Sequence, residues 1–263
     1  MTPDRQEDLR RIRAALERAA GVLARFDRSR VGVRYKAHGS PVTEADLAAD
    51  DVLRGELAGA DEGWLSEETP DDPSRLDRRR VWIVDPLDGT REFLAGIPEW
   101  CISIGLAEDG QAVAGGIYNP SAGELFLGSL QIGATLNGQP VQASTRSGLD
   151  GALVLVTRWA LKRGGAQAFA DAPFRVRAVG PVAYALALIA SGRADAMWSR
   201  SSKAEWDVAA GAALIAAAGG SVTAWDGAPL IFNRWPPRLS GLVAAGAPLM
   251  PAARAFAAAP VGR

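Results

Sequence analysis

The sequence predicts a mixed α/β chain, and three observations carry that expectation. Leu9, Ile12, Leu16, Ala19, Leu23 and Phe26 recur at spacings of three and four, the period of an amphipathic helix. The middle third changes to short apolar runs separated by turn pairs, the signature of antiparallel strands. The last third alternates strand-like and helix-like segments, the pattern of a sheet flanked by helices.

The elements follow in order. After the first helix comes a loop, VGVRYKAHGSPV, closed by Gly39 and Pro41. A second helix is expected from Thr43 to about Leu57, with Thr43 as N-cap, Asp46 three residues on, and Leu47, Val52 and Leu57 facing inward. The acidic, Pro-containing stretch DEGWLSEETPDDPSRLDRRR reads as a surface connection. Val81 to Val84 is a short strand that stops at Asp85. CISIGLAEDG, QAVAGGIYNP and LFLGSLQIGATLNG form a meander, with turns at Asp109–Gly110, Ser121–Gly123 and Asn137–Gly138. Beyond it, ALVLVT, FRVRAV, ADAMWS, SVTAW and GLVAA read as strands. AQAFAD, PVAYALALIAS, Trp206–Ala218 and LMPAARAFAA read as helices, the second closed by Gly192 and the third by Gly219–Gly220. The pattern changes near QASTRSGLD, which divides the chain into residues 1–147 and 148–263.

Composition narrows the chemistry. With 48% apolar and 22% charged residues in 263, most of the chain folds rather than staying disordered. The 29 basic and 30 acidic residues nearly cancel, which argues against a nucleic-acid partner. The single cysteine, Cys101, excludes a disulfide framework or a multi-cysteine metal site and reads as a buried structural thiol. The lone histidine, His38, excludes a multi-histidine metal site and reads as a solvated loop residue. The N-terminus is charged where a signal peptide is apolar, so a cytoplasmic location is expected. The apolar runs are too short for a transmembrane segment. Carboxylates, hydroxyls, amides and a metal ion are left to do the work.

The strongest motif is Val81-Trp-Ile-Val-Asp85-Pro-Leu-Asp88-Gly89-Thr90. It brings two carboxylates and a Gly-Thr turn to the end of a strand. Carboxylates backed by carbonyls are hard ligands for Mg²⁺, and a glycine turn lets amide N–H groups face an anion. A phosphate ester needs that combination. The i, i+3 spacing of Asp85 and Asp88 does not fit the haloacid-dehalogenase phosphatases, which place two aspartates at i and i+2. Three weaker motifs accompany it: Leu65-Ser66-Glu67-Glu68-Thr69, Glu205-Trp206-Asp207-Val-Ala-Ala-Gly211 and Ser40-Pro-Val-Thr-Glu-Ala-Asp46-Leu47. Each alone reads blandly, as solvated surface, helix capping and a capping pair.

Taken together and in this order, they resemble the inositol monophosphatase superfamily of Mg²⁺-dependent, lithium-sensitive phosphatases. DPLDGTREF and WDVAAGAALIAAAGG match its two signatures, and the resemblance spans about Leu9 to Ala245. It implies a layered α-β-α-β-α sandwich and two or three Mg²⁺ ions. It also implies that Glu67, Asp85, the Leu87 carbonyl and Thr90 surround one Mg²⁺ and the attacking water. Asp88 and Asp207, with Asp85 bridging, would hold a second. The Gly89 and Thr90 amides would hold phosphate oxygens, and Asp46 would hydrogen-bond the Thr90 hydroxyl to help activate water. A homodimer is also within what the resemblance implies.

The substrate reading rests on Arg200. Inositol monophosphatases usually carry an acidic residue near this position, and Arg donates where that residue accepts. This departure, with the SPVTEAD and DPLDGTREF wording, tilts the expectation to the 3'(2'),5'-bisphosphate nucleotidase branch, acting on adenosine 3',5'-bisphosphate. An inositol-1-monophosphatase, or another sugar or histidinol phosphate phosphatase, is the alternative. A metal- and phosphate-sensing protein without turnover is the non-catalytic one. Lys36 reads as a surface lysine, whereas Lys203 falls with Arg200 in the segment before Trp206 that the resemblance implies contacts substrate.

Overall fold

The computed structural model describes residues 4–37, 39–162, 169 and 172–258. His38 and most of the expected AQAFAD helix lie outside these residues. The chain opens with α1 (Arg5–Leu23), capped by Asp4, whose side chain accepts the Gln6 and Glu7 N–H groups. The expected loop contains a hairpin, β1 (Val33–Tyr35) against β2 (Pro41–Thr43), and α2 (Glu44–Leu57) follows.

A seven-stranded sheet comes next. Its strands lie in the order β3 (Gly63–Ser66), β4 (Arg80–Asp88), β5 (Cys101–Glu108), β6 (Gln111–Asn119), β7 (Glu124–Ser129), β8 (Gly133–Leu136) and β9 (Gln139–Val141). The meander β5–β9 is antiparallel, as its turn pairs predict. A short helix, α3 (Thr90–Leu94), follows β4.

The second sheet has five strands, in the order β11 (Arg175–Val179), β10 (Leu153–Thr157), β12 (Ala196–Ser199), β16 (Leu242–Gly246) and β14 (Gly220–Thr223). The single turn α4 (Arg158–Ala160) follows β10, and α5 (Val182–Ala190), α6 (Ala209–Ala217) and α7 (Met250–Ala258) come later in the chain. A two-residue ladder joins β13 (Lys203–Ala204) to β15 (Arg238–Leu239).

Three apolar cores show the layering. Ile12, Leu16, Ala49 and Leu53 of α1 and α2 pack on Trp82, Ile102 and Ile104 of the first sheet. Leu186, Leu188, Leu214 and Ile215 of α5 and α6 fill the space between Ile83 and Ile117 on one side and Leu155 and Ala244 on the other. Ala253 and Ala257 of α7 close the outer face of the second sheet against Val154 and Val243. The result is the α-β-α-β-α sandwich. Helix α5 is buried along its whole length, which is why its sequence is apolar on every face.

The close approach of α6 to the first sheet depends on glycine. A Cβ on Gly105 of β5 would lie 2.7 Å from the Ala209 Cβ, and one on Gly115 of β6 would lie 2.5 Å from the Ala210 carbonyl oxygen. Small residues on both surfaces let the first turn of α6, just after Asp207, seat against β5 and β6.

Three expectations are corrected. The stretch expected as a surface connection contains β3, which pairs parallel with β4, and Arg75, which is fully buried. Its strand signal is only GWLS among acids, too short to stand out. Strand β4 continues past Asp85 to Asp88, with a register shift between them. Pro86 has no N–H to donate, and an irregularity of this kind tolerates it. Finally, α6 begins at Ala209 rather than Trp206, because Glu205 and Trp206 belong to the turn that feeds it.

Candidate active site

The bulge in β4 gives the site its geometry. Side chains alternate faces along a regular strand, so residues three apart point to opposite sides. Asp85 faces Ser103 and Asp88 faces Cys101, so three steps on β4 match two on β5. The extra residue resets the alternation. Both carboxylates therefore line one cleft of about 220 Å³, with Glu67, Leu87, Gly89, Thr90 and Asp207.

Each ligand candidate is aimed by its own segment. Glu67 follows β3, and its N–H donates to the Val84 carbonyl at 3.2 Å, fixing it beside β4. Gly89 has φ +98° and is the N-cap of α3. A Cβ there would meet Pro181 Cγ at 2.8 Å and Trp100 Cβ at 3.2 Å, so only glycine fits. The first-turn amides of α3 have no acceptor within the helix.

Asp88 Oδ2 accepts the Ala183 N–H at 2.8 Å, so the carboxylate sits at the start of α5 and ties β4 to that helix. Asp207 Oδ2 accepts the Ala204 N–H at 3.0 Å. Asp207 does not cap α6, the bland reading of its position; the Glu205 carbonyl accepts the Val208 and Ala209 N–H groups instead. Asp85 Oδ1 accepts the Leu87 N–H at 3.0 Å. In each of these three aspartates a backbone donor holds one oxygen. This is how supporting bonds orient metal ligands.

Asp46 combines the two roles weighed for it. Its Oδ2 accepts the Thr43 N–H at 2.9 Å and the Thr43 hydroxyl, forming the capping box of α2. Its Oδ1 accepts the Thr90 hydroxyl at 2.9 Å. The Leu87 carbonyl lies at 3.3 Å from the same hydroxyl, which has only one proton to give.

The electrostatics are strongly negative. Burial, reinforced by Glu67, Asp88 and Asp207, pushes the Asp85 carboxyl well above the ordinary aspartate value. Burial and Asp207 push Asp88 the same way. Burial and Glu67 push Asp207 up to about 6. Burial raises Asp46 despite its three hydrogen bonds. Such a concentration of buried negative charge is costly unless a cation is present.

The donors are carboxylates, a carbonyl and a hydroxyl, a hard oxygen set that fits Mg²⁺. Among the described residues, no three His, Cys, Asp or Glu side chains converge on one point at ligand distance. The backbone bonds above and a lysine engage the carboxylates instead.

That lysine is Lys36, which sequence reasoning assigned to the surface. Its ammonium donates to Glu67 at 2.6 Å and to Glu68 at 2.8 Å. Burial opposes its charge, but the two carboxylates outweigh burial and raise its pKa. Glu68, also missed, is pushed up to about 7, mainly by burial. Glu92 lines the cleft and pairs with Arg158 at 3.1 Å. Its position inside DPLDGTREF was the one available signal. Cys101 is buried, as expected, and burial holds its thiol well above the ordinary value.

Arg200 is not among the residues that line the cleft. It is exposed, with its guanidinium 5.0 Å above the Trp225 ring.

Known proteins resemble this chain in sequence and in fold. The profile of the "Inositol monophosphatase family" matches residues 5–259. An inositol-1-monophosphatase of Mesorhizobium japonicum is 38% identical over 205 residues, 74% of this chain and 76% of that protein. The crystal structure of the extragenic suppressor protein suhB from Bartonella henselae superposes with a TM-score of 0.83 at 28% identity, covering 96% of this chain and 98% of that one. An inositol monophosphatase from Anabaena gives a TM-score of 0.78 at 29% identity, covering 97% of each chain.

The fold and the cleft are those of a phosphoric monoester hydrolase. The chain belongs to the inositol monophosphatase family, whose members are metal-dependent. Its relatives named here give no specific support to the bisphosphate nucleotidase branch. Among the described residues, no helix is long and apolar enough to cross a membrane.

Proposed function

We propose that the protein hydrolyses the phosphate monoester of a small polyol, with inositol 1-phosphate as the reference substrate. The observation that carries this reading is the cleft itself, where the Thr90–Asp46 pair faces carboxylates drawn from β4 and from the turn before α6. Arg200, the residue on which the bisphosphate expectation rested, is exposed over the Trp225 ring and does not line the cleft, which is in keeping with a monophosphate. The likeness to inositol-1-monophosphatases supports the same choice.

Glu67, Asp85, the Leu87 carbonyl and Thr90 would hold one Mg²⁺, and Asp88 and Asp207, with Asp85 shared, a second. When bound there, Mg²⁺ supplies Lewis acidity toward the phosphoryl oxygens and acidifies water. The remaining chemistry belongs to the chain. The Gly89 and Thr90 N–H groups hold phosphate oxygens. The Thr90 hydroxyl donates to Asp46, so as its oxygen takes a proton from the attacking water its own proton passes to the Asp46 carboxylate. Glu67 orients that water once Lys36 yields. Lithium sensitivity and a homodimer belong to the same reading, and sizing chromatography checks the second.

The test is phosphate release with Mg²⁺ from inositol 1-phosphate, adenosine 3',5'-bisphosphate, fructose 1,6-bisphosphate and histidinol phosphate. The highest kcat/KM is expected for inositol 1-phosphate, over many turnovers. A marked preference for adenosine 3',5'-bisphosphate would restore the nucleotidase reading. Release that stops at one equivalent would favour a sensing protein.

A further inference from the structure

Among the described residues, Asp207 is aimed by one backbone donor, the Ala204 N–H at 3.0 Å. Ala204 stands in β13, which among the described residues pairs only with β15, through Lys203↔Leu239 and Ala204↔Arg238. A two-residue ladder is too short to fix its own position. The residue that fixes it is Glu205, which is fully buried and has no part in the hydrolysis described above. Its Oε2 accepts the Asn233 N–H at 2.7 Å and its Oε1 the Arg234 N–H at 2.8 Å. Its own N–H donates to the Pro237 carbonyl at 3.1 Å.

The clamped loop is anchored in turn to the other half of the molecule. Arg75, in the segment between β3 and β4, is buried and donates to Asn233 Oδ1 at 2.6 Å and to the Arg234 carbonyl at 2.9 Å. Asn233 Nδ2 returns a bond to the Arg75 carbonyl at 3.0 Å. Asp71 holds the guanidinium from the far side at 2.6 and 2.7 Å. An unbroken polar chain thus runs from the segment between Glu67 and Asp85 to the donor that aims Asp207.

We propose that Glu205 is a positioning residue for the metal site. Through residues 233–238 and the β13–β15 ladder, it sets the Asp207 carboxylate relative to Asp85 and Asp88, and the Arg75–Asn233 pair anchors that setting to the first sheet. The inference rests on the reading of Asp207 as a metal ligand. Losing an outer partner that orients a ligand typically changes metal affinity about 10- to 100-fold.

The experiment titrates Mn²⁺ onto the full chain by electron paramagnetic resonance and measures the Mg²⁺ concentration for half-maximal activity and the melting temperature. Three variants are compared. Glu205→Gln keeps the size and loses one acceptor. Asn233→Gly keeps the N–H toward Glu205 and removes the side-chain bonds to Arg75; Asn233 has φ +61°, which glycine adopts freely. Asp207→Asn is the reference for a lost ligand. Glu205→Gln is expected to weaken Mn²⁺ binding and raise the Mg²⁺ requirement about 10- to 100-fold, with a smaller shift in the same direction for Asn233→Gly. A folded Glu205→Gln with wild-type Mn²⁺ affinity, even at a lowered melting temperature, overturns the proposal. If Glu205→Gln does not fold, Asn233→Gly decides, and unchanged affinity there overturns it. If Asp207→Asn also leaves Mn²⁺ binding unchanged, the metal assignment itself has failed and the proposal falls with it.

Discussion

The Thr90 hydroxyl donates to Asp46 Oδ1 at 2.9 Å, across 44 residues of sequence, and the same carboxylate closes the capping box of α2 through Oδ2. If the pair acts as a unit on water, Thr90→Ala lowers kcat about a hundredfold with little change in KM. Asp46→Asn shares most of that loss, and the double variant is scarcely worse than either single one. Asp46→Asn also weakens the cap, at about 1 kcal/mol in melting experiments. Additive losses in kcat would separate the two residues.

Asp88 contributes a carboxylate to the cleft while accepting the Ala183 N–H. Asp88→Asn should reduce turnover by about a hundredfold or more, because an anionic ligand candidate becomes a neutral amide. Phosphate release from inositol 1-phosphate across a Mg²⁺ series measures this. Full activity of the variant, or of the wild type in excess chelator, would refute the metal assignment.

Arg200 stacks over Trp225 outside the cleft. Arg200→Ala is therefore expected to change kcat/KM by less than about threefold, and equally for inositol 1-phosphate and adenosine 3',5'-bisphosphate. A charge-assisted bond to a second phosphate would instead cost about 1.5–3 kcal/mol on the bisphosphate alone. The ratio of the two kcat/KM values, at fixed ionic strength, distinguishes these outcomes.

Burial and Glu67 raise Asp207 from 3.8 to about 6 in the metal-free protein. The folded state therefore holds this proton more tightly than the unfolded chain does. The associated stability is full below pH 3.8 and is lost as the pH rises to about 6, by up to about 3 kcal/mol. Melting in chelator should show this contribution falling across that window, relative to Asp207→Asn. Mg²⁺ should offset the loss above about pH 6, where the ligand is ionised. An equal pH dependence in Asp207→Asn would contradict the assignment.

Gly115 lets α6 reach the sheet, since a Cβ there would lie 2.5 Å from the Ala210 carbonyl oxygen. Gly115→Ala should destabilise the protein by about 1–3 kcal/mol. It should also raise the Mg²⁺ requirement, because Asp207 immediately precedes this helix. Thermal melting and metal activation, measured together, check both.

The sequence by itself determined what is local. The three-four period of Leu9 to Leu23 makes α1, and the turn pairs at Asp109–Gly110 and Asn137–Gly138 make the meander. DPLDGT and WD were legible as chemistry because their residue types and spacings are unusual within a few positions. Only the tertiary structure decided what depends on distant partners. The bulge between Asp85 and Asp88 puts two carboxylates on one face, although regular alternation would separate them. The parallel pairing of a four-residue strand with β4 brings Glu67 to the cleft from a stretch that looks like surface. Lys36 enters the site because Glu67 and Glu68 compensate its charge, while Arg200 stands over the Trp225 ring and does not line the cleft. Periodicity and motif spacing record only neighbours along the chain. Register, layer stacking and charge pairing are settled by residues far apart in sequence, and in this protein those long-range contacts assemble the cleft.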